Sequence, residues 1–145
     1  MRIITPILAA ALVACAQTPS NSEAVASLTA VNDTFNQEAA EHDAAGLIDL
    51  YADQTVWIEA GKRPTIGLEG PRQLFEFVTA NKGFVTHTID HLYVADDASL
   101  AVMIGSVVAK IDAAGMDATG TYLFVLEPND DDWEIVVDMW HQHEQ

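Results

Sequence analysis

Few side chains in this 145-residue chain combine a reactive type with surroundings that would make it useful. Asp138 heads them. Alternate residues of a strand point to opposite faces. Segment 133–140 therefore splits into Trp133, Ile135, Val137 and Met139 on one side and Glu134, Val136, Asp138 and Trp140 on the other. The first set is wholly apolar and is expected to be buried. The second holds a carboxylate between a valine and an indole. Enclosed in a cavity, such a carboxyl has a raised pKa and can act as general base or acid. The competing reading is that it pairs with a histidine or a backbone amide and holds the sheet. His87 and His91 share one strand face with Val85, Ile89 and Tyr93. Histidine exchanges protons near neutral pH, but so long a strand outruns a pocket. At most one of the two is expected to face it, His87 by preference, with a satisfied structural histidine as the alternative. Tyr122 shares a face with Gly120, Phe124 and Leu126, and Trp57 lies on an earlier strand. Tyr122, Trp57 and Trp140 suit the wall of a cavity that orients a flat ligand, and core packing explains them as well.

Other groupings carry weaker signals. His141, His143 and Glu144 have metal-ligand chemistry, but at a chain end they read as a frayed tail. Asp130 to Asp132 lacks an ordered loop of calcium ligands and reads as a solvated turn. The sequence contains no glycine-rich phosphate loop, zinc spacing or serine-nucleophile motif. Neither a metal nor a cofactor is expected.

Charge narrows the partners. The formal net charge is −16. Such a surface repels phosphate backbones, which argues against nucleic acid, and it offers no polybasic attraction to anionic head groups. Any membrane attachment must be covalent. Met1-Arg2 is a minimal positive start, and Ile3 to Val13 is apolar but shorter than the about 20 residues that span a bilayer. Leu12-Val13-Ala14-Cys15 resembles the bacterial lipobox. That resemblance implies cleavage before Cys15, lipidation of its sulfur and acylation of the new amino terminus; two or more acyl chains make attachment stable. Ala16, where an aspartate would favour inner-membrane retention, implies the outer membrane and a periplasm-facing domain. The alternative is an ordinary secretory signal with an incidental cysteine. The single cysteine excludes an intrachain disulfide. The expected division is a leader at 1–14, lipidated Cys15 with a polar tether at 15–22, and one domain at 23–145. With half its residues hydrophobic, the chain is not disordered.

The elements that must position these side chains follow from periodicity. Ser20 with Glu23 fits a capping box, and Val25, Leu28, Val31, Phe35 and Ala39 make one helical face to about His42. Asp43 caps a short second helix carrying Leu47, Leu50 and Tyr51. Thr55 to Ile58 reads as a strand, and Gly61 to Gly67 as a loop or hairpin. Gly70-Pro71 opens a third helix, lined by Leu74, Phe75, Phe77 and Val78 and ended by Gly83. Phe84–Val94, Leu100–Ile111, Met116–Leu126 and Trp133–His141 are strands joined by short turns, hence an antiparallel meander. Helices followed by strands indicate an α+β fold with the helices on one face of a curved antiparallel sheet.

This order resembles the nuclear transport factor 2-like superfamily, which includes ketosteroid isomerases and SnoaL-like cyclases. His42 to Asp53 resembles its helix and leucine-tyrosine-alanine-acid stretch, Gly67 to Pro71 its glycine turn, and Gly120 to Val125 its fourth strand. Trp133-Glu-Ile-Val-Val-Asp-Met-Trp140 is similar to the closing segment of the branch called domain of unknown function 4440. The resemblance implies a cone of three helices on a curled sheet, an apolar cavity on the concave side, and pairing of two copies through the outer face. In ketosteroid isomerases the base is an aspartate on the first strand; the best register puts Ile58 there, and Glu59 would need a bulge to serve. The leading expectation is a binding protein for a small apolar or amphipathic molecule, anchored at the cell envelope. An isomerase, dehydratase or cyclase with Asp138 as base and His87 or Tyr122 as polariser is the alternative, and a homodimeric interaction module a further one.

Overall fold

The computed structural model describes residues 21–130 and 132–144; the expected leader, Cys15 and the expected cap Ser20 lie outside them. Helix α1 (Asn21–Glu41) is already helical at Asn21, so the last two positions assigned to the tether belong to the helix. Its buried stripe is Ala24, Leu28, Val31, Asn32, Phe35 and Ala39, while Val25 falls off the stripe and is exposed. His42, in the left-handed region at φ 58°, ends it. The Asp43 carboxylate then accepts the amides of Ala45 and Gly46 at 2.9 and 3.0 Å and caps α2 (Ala44–Ile48). The expectation that α2 carries Leu50 and Tyr51 fails: it stops at Ile48, and Tyr51 opens β1 (Tyr51–Glu59). A stretch this short fits helical and alternating periods alike, and pairing within the sheet decides.

Strand β2 (Thr65–Ile66) folds back on β1 as a hairpin. Helix α3 (Glu69–Ala80) has Pro71 in its first turn and buries Phe75 and Val78, whereas Phe77 points outward, 45% exposed. Then come β3 (Phe84–Val94), β4 (Ala101–Ile111), β5 (Met116–Asn129) and β6 (Asp132–Gln142). Pro128 and Asn129, expected in the last turn, continue β5 and pair with Trp133 and Asp132.

The sheet order is β2-β1-β6-β5-β4-β3. Short turns make β3 to β6 antiparallel, as expected, but β1 pairs with β6 in parallel. The sheet is therefore mixed rather than antiparallel. Because β1 and β6 lie at opposite ends of the domain's sequence, no tight turn dictates their relative direction.

Two bulges re-aim the strands. In β3 the pairing skips Asp90, with Ile89 opposite Gly105 and His91 opposite Ile104. Val85, His87 and Ile89 face the core before the bulge, and Leu92 and Val94 take over beyond it. His91 is turned to the outer face, where its ring lies 6.3 Å from that of Tyr93, so the two histidines do not share a face. In β6 the extra residue is Val136: Ile135 lies opposite Leu126 and Val137 opposite Val125. Trp133 and Ile135 are buried before it, and Asp138 is buried after it. Val137 and Met139, assigned by strict alternation to the buried side, are only half-buried.

Close contacts hold this arrangement. A Cβ on Gly105 would stand 1.7 Å from the Thr88 carbonyl oxygen and 2.8 Å from the Tyr122 ring, so only glycine fits beside the β3 bulge. From α1, the Asn36 side-chain amide donates to the His87 carbonyl at 2.9 Å and accepts the His87 amide at 2.7 Å. This side chain supplies the partner that β3, as an edge strand, lacks on its outer side.

Candidate functional site

The concave face of the sheet, α1 and α3 enclose a cavity of about 80 Å³ with an almost entirely apolar lining. A single water needs about 10–15 Å³, so there is room for several waters or one small ring. Asp138, His87, Tyr122, Trp57 and Trp140, which lie on four different strands, all line it. Cross-strand register explains the convergence. Asp138 is opposite Phe124 on β5 and Trp57 on β1, Trp140 is opposite Tyr122, and Tyr122 is opposite Gly105.

Asp138 is 5% exposed. Its Oδ2 accepts a hydrogen bond from the Tyr51 phenol at 2.7 Å. Burial pushes the carboxyl up to about 7, partly opposed by that bond, which favours the charged form. The same pair raises the Tyr51 phenol well above its ordinary range, through burial first and the facing carboxylate second. Tyr51 was not anticipated as a site residue. Its signal was present in the leucine-tyrosine-alanine-acid stretch, but reading it as helical pointed it elsewhere.

His87 is a flat insert in an aromatic stack. Its ring lies 4.2 Å from Phe35 at 14° on one side and 4.2 Å from Tyr122 at 13° on the other. Burial lowers its pKa to about 3, so the imidazole stays neutral through the physiological range. It cannot shuttle protons by charging near neutral pH. Nδ1 is buried with no hydrogen-bond partner. The Tyr122 phenol donates to Asn32 Oδ1 at 3.3 Å, and burial raises it above its ordinary range. Asn32 and Asn36, one turn apart on α1, thus hold Tyr122 and His87; neither asparagine was singled out from the sequence.

At the rim, Trp57 and Glu59 follow Tyr51 on the cavity side of β1, Glu59 opposite Trp140, beyond a shift in the pairing with β6 between Tyr51 and Val56. Glu59 accepts from Trp57 Nε1 at 3.0 Å and from Lys62 Nζ at 2.5 Å, and these contacts, Lys62 first, hold its carboxyl below the usual range. It borders an outer recess of about 230 Å³ that shares Trp57, Leu74 and Trp140 with the inner cavity. A Cβ on Gly70 would come 2.6 Å from the Trp57 indole, so this glycine seats the ring between recess and cavity. Among the described residues no group of three or more His, Cys, Asp or Glu is placed to hold a metal ion, and no helix is long and apolar enough to cross a membrane.

Helices on a curved mixed sheet around an aromatic pocket define the nuclear transport factor 2-like cone. Residues 28–144 match the model of the SnoaL-like domain, and the chain belongs to that family. No curated protein matches it. Among solved structures, a scytalone dehydratase candidate from Novosphingobium aromaticivorans superposes with a TM-score of 0.72 at 11% identity, over 86% of this chain and 87% of that one. A ketosteroid isomerase-like protein from Erwinia carotovora gives 0.68 at 17% identity, over 86% and 99%. A protein of unknown function from Shewanella oneidensis, described as NTF-2 like, also gives 0.68 at 17%, over 80% and 97%. At these identities the likeness establishes the fold and leaves the chemistry to the site.

Proposed function

We propose that this chain captures a small apolar or amphipathic molecule in the cavity beneath Trp57 and Trp140. One observation carries the reading: a buried carboxyl group, held by a single phenol, lines an otherwise apolar cavity. Burying an ionisable group is costly unless it is paired or used. A thermal-shift screen of single-ring alcohols, ketones and amines tests it, with stabilisation expected for some of them. No stabilisation by any would remove the reading.

A second reading is favoured by the carboxyl's pKa of about 7, which suits proton transfer at neutral pH. In it Asp138 is the base of an isomerase, dehydratase or cyclase, with neutral His87 or Tyr122 polarising the substrate. Asp138→Asn would then abolish turnover with the cavity still able to bind. Retained turnover would refute it.

The lipobox-like Cys15 supports an outer-membrane, periplasm-facing location, testable by metabolic labelling with a palmitate analogue and its loss in Cys15→Ser. The segment Trp133 to Trp140 supports a place in the branch called domain of unknown function 4440. A homodimer through the convex face is supported by Val56, Ile104, Val108 and Leu123, which none of the described helices covers; Val108 is 37% exposed. Sedimentation at micromolar concentration should show a dimer that Leu123→Glu dissociates, and a monomer throughout would refute it.

A further inference from the structure

The cavity contains an acid without its counterpart. Asp138 receives one side-chain hydrogen bond, from Tyr51, and among the described residues no lysine or arginine pairs with it. The neighbouring phenol and indole donors are engaged. The Tyr51 hydrogen goes to Asp138, the Tyr122 hydrogen to Asn32, and the Trp57 N–H to Glu59. His87 is neutral, its Nδ1 buried and unpartnered. Apart from the single N–H of that neutral imidazole, the cavity thus presents acceptor atoms and aromatic faces. A ligand that complements it brings hydrogen-bond donors and positive charge on a hydrophobic body.

We propose that the cavity takes a small hydrophobic amine in its protonated form, with the ammonium against the Asp138 carboxylate and the body packed among Trp57, Phe75 and Tyr122. This rests on the small-molecule reading above and narrows it to a monocation. Three features converge on that class. The carboxylate lacks a countercharge, and an ammonium supplies it. Tryptophan, tyrosine and phenylalanine rings attract a cation over their faces, most strongly in a desolvated site, and Trp57, Tyr51 and Phe75 stand 5.8 to 6.5 Å apart around the carboxylate's end of the cavity. The formal net charge of −16 draws cations toward the surface and repels carboxylates and phosphates.

The ionisable groups that line the same cavity are Tyr51 from β1, His87 from β3 and Tyr122 from β5, with the paired Glu59 and Lys62 at the rim; α1, α3 and β4 contribute uncharged side chains. Tyr51 and Tyr122 remain neutral phenols and His87 a neutral imidazole, so only Asp138 changes charge inside the cavity near neutrality. Cation binding therefore strengthens as pH rises through the Asp138 midpoint, because the ammonium needs the ionised form.

Isothermal titration with benzylamine, benzyl alcohol and benzoate, three probes of one shape and different charge, separates the possibilities. At about pH 8, benzylamine should bind about tenfold or more tightly than benzyl alcohol, and benzoate should not bind. That preference should vanish at about pH 5, where Asp138 is neutral and the amine still charged. It should vanish at both pH values in Asp138→Asn. The wild-type pH comparison stands even if the variant does not fold. Benzyl alcohol binding as tightly as benzylamine at about pH 8, or a preference that survives in Asp138→Asn, overturns the cation assignment and leaves the pocket reading in place. Absence of binding by both benzylamine and benzyl alcohol overturns the pocket reading itself.

Discussion

Replacing Asp138 by asparagine should make the protein's stability respond to pH in a way that can be worked out from the structure. The carboxyl titrates at about 7 in the fold, against an ordinary value of 3.8. Below about pH 4 it is protonated in both folded and unfolded chains and contributes nothing to the difference. Between these values the folded state holds a proton that the unfolded chain has released. Stability must therefore fall as pH rises through the window, and the deficit is complete above about 7. At about 1.4 kcal/mol per pH unit, the separation corresponds to about 4 kcal/mol. Asparagine has nearly the same shape and no titration, so its stability relative to wild type should climb by about that amount from pH 4 to pH 8. The amide adds a constant offset: an NH₂ without a partner costs about 1–3 kcal/mol at every pH, which shifts the curve and not its slope. Urea unfolding of both proteins at several pH values measures it, with the other acidic residues cancelling in the comparison. A difference independent of pH across this range would refute the description of Asp138 as a buried, uncompensated acid.

His87 should act with the opposite sign. Its pKa falls from 6.5 to about 3 on folding, so the unfolded chain binds the extra proton between those values and stability is lost on acidification through that window. His87→Phe, which keeps the stack between Phe35 and Tyr122, should unfold at lower pH than wild type in an acid titration followed by circular dichroism; an unchanged midpoint would count against a buried neutral imidazole. Tyr51→Phe removes the bond that favours the ionised carboxylate, so the Asp138 midpoint should rise further, and about 1.5–3 kcal/mol should be lost above that midpoint. A fluorescence titration of the tryptophans reads this shift, and a midpoint that falls contradicts the assigned hydrogen bond. Gly105→Ala forces a Cβ against the Thr88 carbonyl and should cost about 3 kcal/mol or more in urea unfolding. A loss below about 1 kcal/mol would mean that β3 can move away.

The long strands were legible because each is bounded by turn residues and rich in β-branched and aromatic types; β3 runs from Phe84 to Val94 as read from the sequence. Asp138 and His87 stand out by apolar neighbours two residues away on their strands, and Tyr122, Trp57 and Trp140 by aromatic type; all five line one cavity. What escaped was whatever depends on pairing between distant segments. The bulges at Asp90 and Val136 change which side chains face inward; Val136 is an ordinary strand residue, and an aspartate such as Asp90, though depleted in strands, does not by itself mark a bulge. The parallel pairing of β1 with β6 has no local signature, and it places Tyr51 within reach of an acid 87 residues away. Asn32 and Asn36 were hidden in a polar-looking part of α1, because an asparagine that clamps a strand is spelled like one that meets water. The lipobox is a purely local pattern, and it remains a sequence inference.

The account depends most on Asp138 being protonated in a neutral-pH cavity and ionising near pH 7. Selective ¹³C labelling of aspartate, with the Asp138 side-chain carboxyl assigned by its loss in Asp138→Asn, allows its chemical shift to be followed by NMR from acid to mild alkali. The expected transition is centred near 7. A transition centred near 4, where a solvated aspartate titrates, would contradict it.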